Sequence, residues 1–147
     1  MRAYKLFIAF SALYGLIAVV VGTISAHGSD QSLPWLASFC EHCSNISEQG
    51  IERLNKGVQY QFYHISGLLA VGVLASLHRN YQSAVLKFSG TFFLLGILFF
   101  SGSLYASVFT GNAIFTKLAP FGGGSFMLAW LFLFFFAITR KSQLKGE

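Results

Sequence analysis

Charge is what this chain has least of. Of its 147 residues only 10% are Asp, Glu, Lys or Arg, against about 25% in an average soluble domain. A soluble domain of this size must cover most of its surface with polar groups, and there are too few here to do so. Disorder is excluded from the other direction: it needs low hydrophobicity, and 54% of this chain is hydrophobic. Cysteine is almost absent, with Cys40 and Cys43 the two residues of that type. No second pair exists for the electron relay that four-helix membrane thiol oxidoreductases use. A phosphate loop is missing as well, because Gly122-Gly123-Gly124 has neither the Lys nor the preceding strand that such a loop needs. No carboxylate lies inside an apolar stretch to relay protons, and no nucleophile has an evident base and orienting acid. The expectation is a protein that is not an enzyme and carries no cofactor.

What the chain has instead is length in apolar runs. A helix crosses the hydrocarbon core with about 20 mostly apolar residues, each rising about 1.5 Å. Four stretches qualify: Leu6 to Ala26, Val58 to Leu77, Phe88 to Phe109 and Leu118 to Thr139. They predict an all-α membrane protein, a single four-helix bundle over residues 1–147. Barrel strands would alternate polar and apolar, whereas Phe92-Phe93-Leu94-Leu95 and Phe132 to Phe136 are apolar on every face. The first stretch has an apolar core of 17 residues, Leu6 to Gly22. Signal-peptide cores run to about 7–15, so it reads as a true span.

Four spans put both termini on one side. That side holds Arg2, Lys5, Arg79, Lys87, Arg140, Lys141 and Lys145, against Arg53, Lys56 and Lys117 on the other. The excess of Lys and Arg predicts cytoplasmic termini, in a bacterial inner membrane or alternatively a mitochondrial one. It also accounts for the net charge of +5 without a nucleic-acid partner. Residues 27–57 then form the one sizeable outer loop. Its second half reads as helix, with Ser47 as N-cap and Glu52 and Lys56 as a favourable i,i+4 pair. Trp35 suits an interface position, and Asn45-Ile46-Ser47 matches a glycosylation sequon that is common by chance.

The polar residues of the spans gather toward the outer side, and the inner halves read as nearly pure Leu, Val, Ile and Phe. The first span ends at Ser25-Ala26-His27, the second opens with Tyr60, Gln61 and His64, and the third carries Ser101, Ser103 and Tyr105. Tyr60, Gln61 and His64 share one helix face, and Ser101 and Tyr105 are four apart. Polar side chains in lipid must find partners, so His27, Tyr60, Gln61, His64, Ser101, Ser103 and Tyr105 are expected to form one hydrogen-bonded cluster. That cluster either glues the helices in register or lines a cavity for a small polar ligand or lipid headgroup. His27 and His64 without a nearby carboxylate make a poor metal site, and no metal is expected. Ala18, Gly22 and Ala26 have the small-xxx-small spacing of a close helix contact. Pro120 fits the first turn of the fourth helix.

Cys40-Glu41-His42-Cys43 allows three readings: a structural disulfide, a redox-active dithiol made more reactive by His42, or part of a metal site. Haem attachment is disfavoured, because Ser44 stands where C-x-x-C-H needs His.

Taken in order, Ala26-His27, Tyr60-Gln61 with His64, Phe100 to Tyr105, and Pro120 with Gly122-Gly123 resemble the domain of unknown function 423 family. These are small four-helix inner-membrane proteins with a eukaryotic branch called transmembrane protein 256. The resemblance covers Leu6 to Arg140. It implies the fold and the membrane, and brings no activity with it. Ser25 replaces the usual Gly before Ala-His, and the loop holding Cys40 and Cys43 is an elaboration on the family pattern. The expected role is a non-catalytic accessory or interaction subunit of a larger membrane complex, embedded in the lipid bilayer. The alternatives are outer-face thiol redox or metal handling through Cys40 and Cys43, and ligand binding at the His27/His64 cluster.

Overall fold

Each apolar run folds into one long helix, because lipid leaves backbone groups no partner except the chain itself. A computed structural model describes residues 3–27, 46–77 and 83–139. Helix α1 is Ala3–His27, α2 is Glu48–Leu77, α3 is Ala84–Phe109 and α4 is Ala119–Thr139. Among the described residues, four helices are long and apolar enough to cross a membrane.

The helix starts follow from local chemistry. Ser47 caps α2: its Oγ accepts from the Gly50 N–H at 3.2 Å and its carbonyl from the Ile51 N–H at 2.9 Å. One turn on, Lys56 Nζ donates to Glu52 Oε1 at 2.7 Å, so this helix begins ten residues ahead of its apolar stretch, as the cap and the charge pair predicted. Ser83 caps α3, its Oγ accepting from the Leu86 N–H, which starts that helix four residues before the apolar run. Gly111, at φ 65°, turns the chain after α3. Asn112 Oδ1 then accepts from the Ile114 N–H at 3.0 Å to open a 3₁₀ segment, Ala113–Leu118, that leads into α4.

The helices pack in chain order: α1 on α2, α2 on α3 and α3 on α4. Helices α1 and α4 occupy opposite flanks and do not pack on each other. Between the flanks runs an apolar core of Phe7, Leu68, Val71, Phe93, Ile97 and Phe126, with a smaller cluster of Val21, Ile46, Leu54, Tyr105 and Val108 at the end where α1 stops and α2 starts.

One turn of α3, Leu98–Gly102, is π-helical. Phe93, Ile97, Ser101 and Tyr105 are all buried, at four-residue intervals. In a regular α-helix that spacing drifts by about 40° per step. The wider turn takes back part of the drift and keeps all four facing α2. Such single wide turns often accompany functional sites.

Close approach between helices depends on missing side chains. A Cβ at Gly57 would meet the Tyr105 ring at 2.5 Å, and one at Gly67 would meet the Phe93 ring at 2.5 Å. Gly122 admits the backbone of Phe100 itself. Of the expected small-residue stripe on α1, Ala18 is fully buried, Gly22 lies near Val58, and Ala26 is exposed.

Candidate functional site

Gln61 sits at the centre of the polar layer, 1% exposed. Both ends of its amide are used. Its Nε2 donates to the Tyr14 carbonyl of α1 at 2.6 Å, and its Oε1 accepts from the Tyr105 hydroxyl of α3 at 2.8 Å. One side chain therefore ties three helices together. Alongside it, Ser101 Oγ donates to the Gly57 carbonyl at 2.8 Å. That bond joins the π-helical turn of α3 to α2 one turn away from Gln61, under the ring of Tyr105.

His64 lies one turn along α2 but bonds differently. Its Nδ1 is 2.6 Å from the carbonyl of Tyr60, four residues back on the same helix. Its ring lies almost flat on Phe126 of α4, with centroids 3.4 Å apart and planes 12° apart. Phe93 and Trp130 stand around it at 6.2 and 6.3 Å. Tyr60 is partly exposed and stacks on Phe100 at 4.6 Å.

The seven residues expected to converge thus divide. Gln61, Ser101 and Tyr105 form the cross-helix bonds. His64 and Tyr60 sit beside them in an aromatic layer. Ser103 Oγ donates to the Phe100 carbonyl of its own helix at 2.9 Å, since a hydroxyl reaches back to the preceding turn more readily than across to another helix. His27 is exposed at the end of α1, and no hydrogen bond among the described residues joins it to His64. Cys40 and Cys43 lie outside the described residues.

Other bonds were not anticipated. Ser25 Oγ donates to Asn55 Oδ1 at 2.8 Å and fastens the end of α1 to the start of α2. Ser89 Oγ, fully buried, donates to the Ala129 carbonyl of α4 at 2.8 Å. That bond lies in the half of the bundle expected to be nearly all apolar, so the depth asymmetry of polar groups is incomplete. The signal was present: Ser89 falls between Leu86 and Phe93 on a face that is otherwise apolar. Among the described residues, no buried side-chain nitrogen or oxygen lacks a partner.

The bonds differ in weight. Ser101→Ala removes one donor to a carbonyl that keeps its own helical partner. It should cost about 0.6 kcal/mol, the average for an interhelical bond in a membrane, read as a small drop in melting temperature in detergent.

Four spanning helices tied by buried side-chain hydrogen bonds define an all-helical integral membrane protein. Comparison with known families then fixes which one. Residues 21–123 match the family described as "Protein of unknown function (DUF423)", and the chain belongs to that family. Its relatives include the UPF0382 membrane protein of Staphylococcus haemolyticus, 33% identical over 88% of this chain and 92% of that protein. The UPF0382 membrane protein of Bacillus subtilis is 31% identical over 88% and 93%. The UPF0382 inner membrane protein of Escherichia coli is 28% identical over 91% and 90%. No solved structure matches the chain. The helices and these relatives together assign the chain to a bacterial inner membrane, crossed several times.

Proposed function

We infer that the chain is a non-catalytic accessory subunit of a larger membrane complex, held through the outward face of α4, with both termini in the cytoplasm. The observation that carries this reading is the form of that face. Gly124, Met127, Leu131, Phe135 and Ile138 recur at spacings of three and four, and all turn away from the core, with Met127 72% exposed. Nothing lies within 4 Å of where a Cβ on Gly124 would stand. A helix-interior glycine costs about 0.5–1 kcal/mol relative to alanine, and here no neighbour inside the chain needs the space. In membranes, small residues flanked by large ones are where a second helix comes close. The Gln61 layer, fully bonded within the chain, serves on this reading to hold α1, α2 and α3 in register so that the flank is presented rigidly.

Purification from the native membrane in mild detergent, followed by mass analysis, tests the reading. A membrane protein should co-purify with the wild type and be lost with Gly124→Phe, whose own melting temperature should match the wild type. Recovery of the chain as a lone species would overturn it.

A further inference from the structure

We propose that His64 is the polar anchor of a binding site for a neutral, planar ring bearing a hydroxyl donor, a quinol in its reduced form. The site is independent of the partner surface just described.

The argument starts at the ring nitrogens. A carbonyl can only accept, so the Nδ1 lying 2.6 Å from the Tyr60 carbonyl carries the proton. In the neutral ring the other nitrogen, Nε2, is then an acceptor and cannot donate. His64 is only 8% exposed, and no hydrogen bond among the described residues reaches Nε2. Since no buried side-chain nitrogen among the described residues lacks a partner, Nε2 lies on the part of the ring that reaches the surface. A membrane-helix histidine with one nitrogen committed and the other accessible offers an acceptor to a donor ligand.

The surroundings narrow the ligand class. Tyr60, Phe93, Phe126 and Trp130 all stand against the His64 ring, and none is charged. No described neighbour there would balance a phosphate or an ammonium, so the ligand is neutral. Of these rings Tyr60 and Trp130 are partly exposed, at 40% and 44%, and can receive another ring by offset stacking. Helices α2 and α4 meet only sparsely elsewhere, and His64 on Phe126 is their main bridge. On the same face of α4, Gly123 has nothing within 4 Å of where a Cβ would stand. A membrane-soluble ring can enter from the acyl-chain region and place its hydroxyl on Nε2.

The locked tautomer makes the proposal selective. A quinol donates a hydroxyl proton to Nε2. The corresponding quinone has only acceptors and meets a lone pair. Reduced and oxidised forms of one molecule should therefore bind unequally, by roughly tenfold, the worth of one neutral hydrogen bond.

The test uses the full chain in lipid nanodiscs, with empty nanodiscs as the partition baseline, titrated with decylubiquinol and decylubiquinone. Saturable quinol binding above baseline is expected, roughly tenfold tighter than quinone. His64→Phe keeps the stack on Phe126 and removes the acceptor, so it should abolish the difference between the two forms. Diolein, which has a hydroxyl and no ring, should not compete. Binding no better than partition, equal affinity for the two forms, or unchanged selectivity in a folded His64→Phe variant would overturn the proposal. Competition by diolein would overturn the requirement for a ring. If His64→Phe fails to fold, the quinol-to-quinone ratio of the wild type decides alone.

Discussion

Gly122→Ala should destabilise the bundle by about 2 kcal/mol or more, at the upper end of what one added methyl does in a packed core. The added Cβ would run into the backbone nitrogen of Phe100, and would stand 2.7 Å from its Cβ and 2.8 Å from its Cα. A flexible side chain can swing aside, but backbone cannot. Phe100 is also within the π-helical turn, next to Ser101, whose hydroxyl is bonded to the Gly57 carbonyl of α2. Moving Phe100 away from α4 therefore pushes α3 against α2, where Gly57 already touches the Tyr105 ring. Two residues along, Gly124→Ala makes the same chemical change where no neighbour lies within 4 Å. It should be neutral or stabilising by up to about 1 kcal/mol, the usual gain of Ala over Gly inside a helix. Thermal unfolding of both variants in one detergent measures the contrast. A Gly122→Ala protein that melts with the wild type would mean that α3 and α4 are further apart than described.

The same contrast shows what was legible in the sequence. A run of three glycines after Pro120 marks a place where something comes close or the helix loosens, but not which glycine has the neighbour. That depends on the rotation of α4, and Phe132 to Phe136, apolar on every face, leave the rotation unmarked. The spans were legible because lipid thickness sets their length. The start of α2 was legible because Ser47, Glu52 and Lys56 act locally. The joining of Gln61 to Tyr105 was partly legible: spacing put each on an inward face, and lipid obliged each to find a partner. His64 shows where such reasoning stops. Period alone puts it on the face of Gln61, yet its rotamer turns Nδ1 back to its own helix and lays the ring on Phe126. The π-helical turn is a tertiary effect, produced by four inward residues at intervals of four, and no local propensity signals it. Neighbour order was illegible for a related reason. Helices apolar all round do not say which of them stand at the flanks.

Gln61→Leu is the second large effect expected, about 2 kcal/mol. A membrane hydrogen bond averages only about 0.6 kcal/mol, because an unfolded chain in lipid also finds partners. Two features raise the figure here. The substitution removes two bonds at once, to the Tyr14 carbonyl and from the Tyr105 hydroxyl. It also leaves that hydroxyl, on a residue 7% exposed, with no water to replace the lost acceptor, a penalty of about 1–3 kcal/mol for a buried group. The Tyr14 carbonyl keeps its helical bond and adds little. Tyr105→Phe takes away the donor and leaves Gln61 Oε1 alone, while Nε2 still holds Tyr14, so it should cost about 1 kcal/mol. The two changes share one bond, and the double variant should therefore be more stable than the sum of the single losses predicts, by about 1 kcal/mol. Equilibrium unfolding of the four proteins under one set of conditions closes the cycle. Strict additivity would mean that the Gln61–Tyr105 bond does not form in the membrane. A positive coupling term would establish that α2 and α3 are held by a specific polar lock as well as by ring packing.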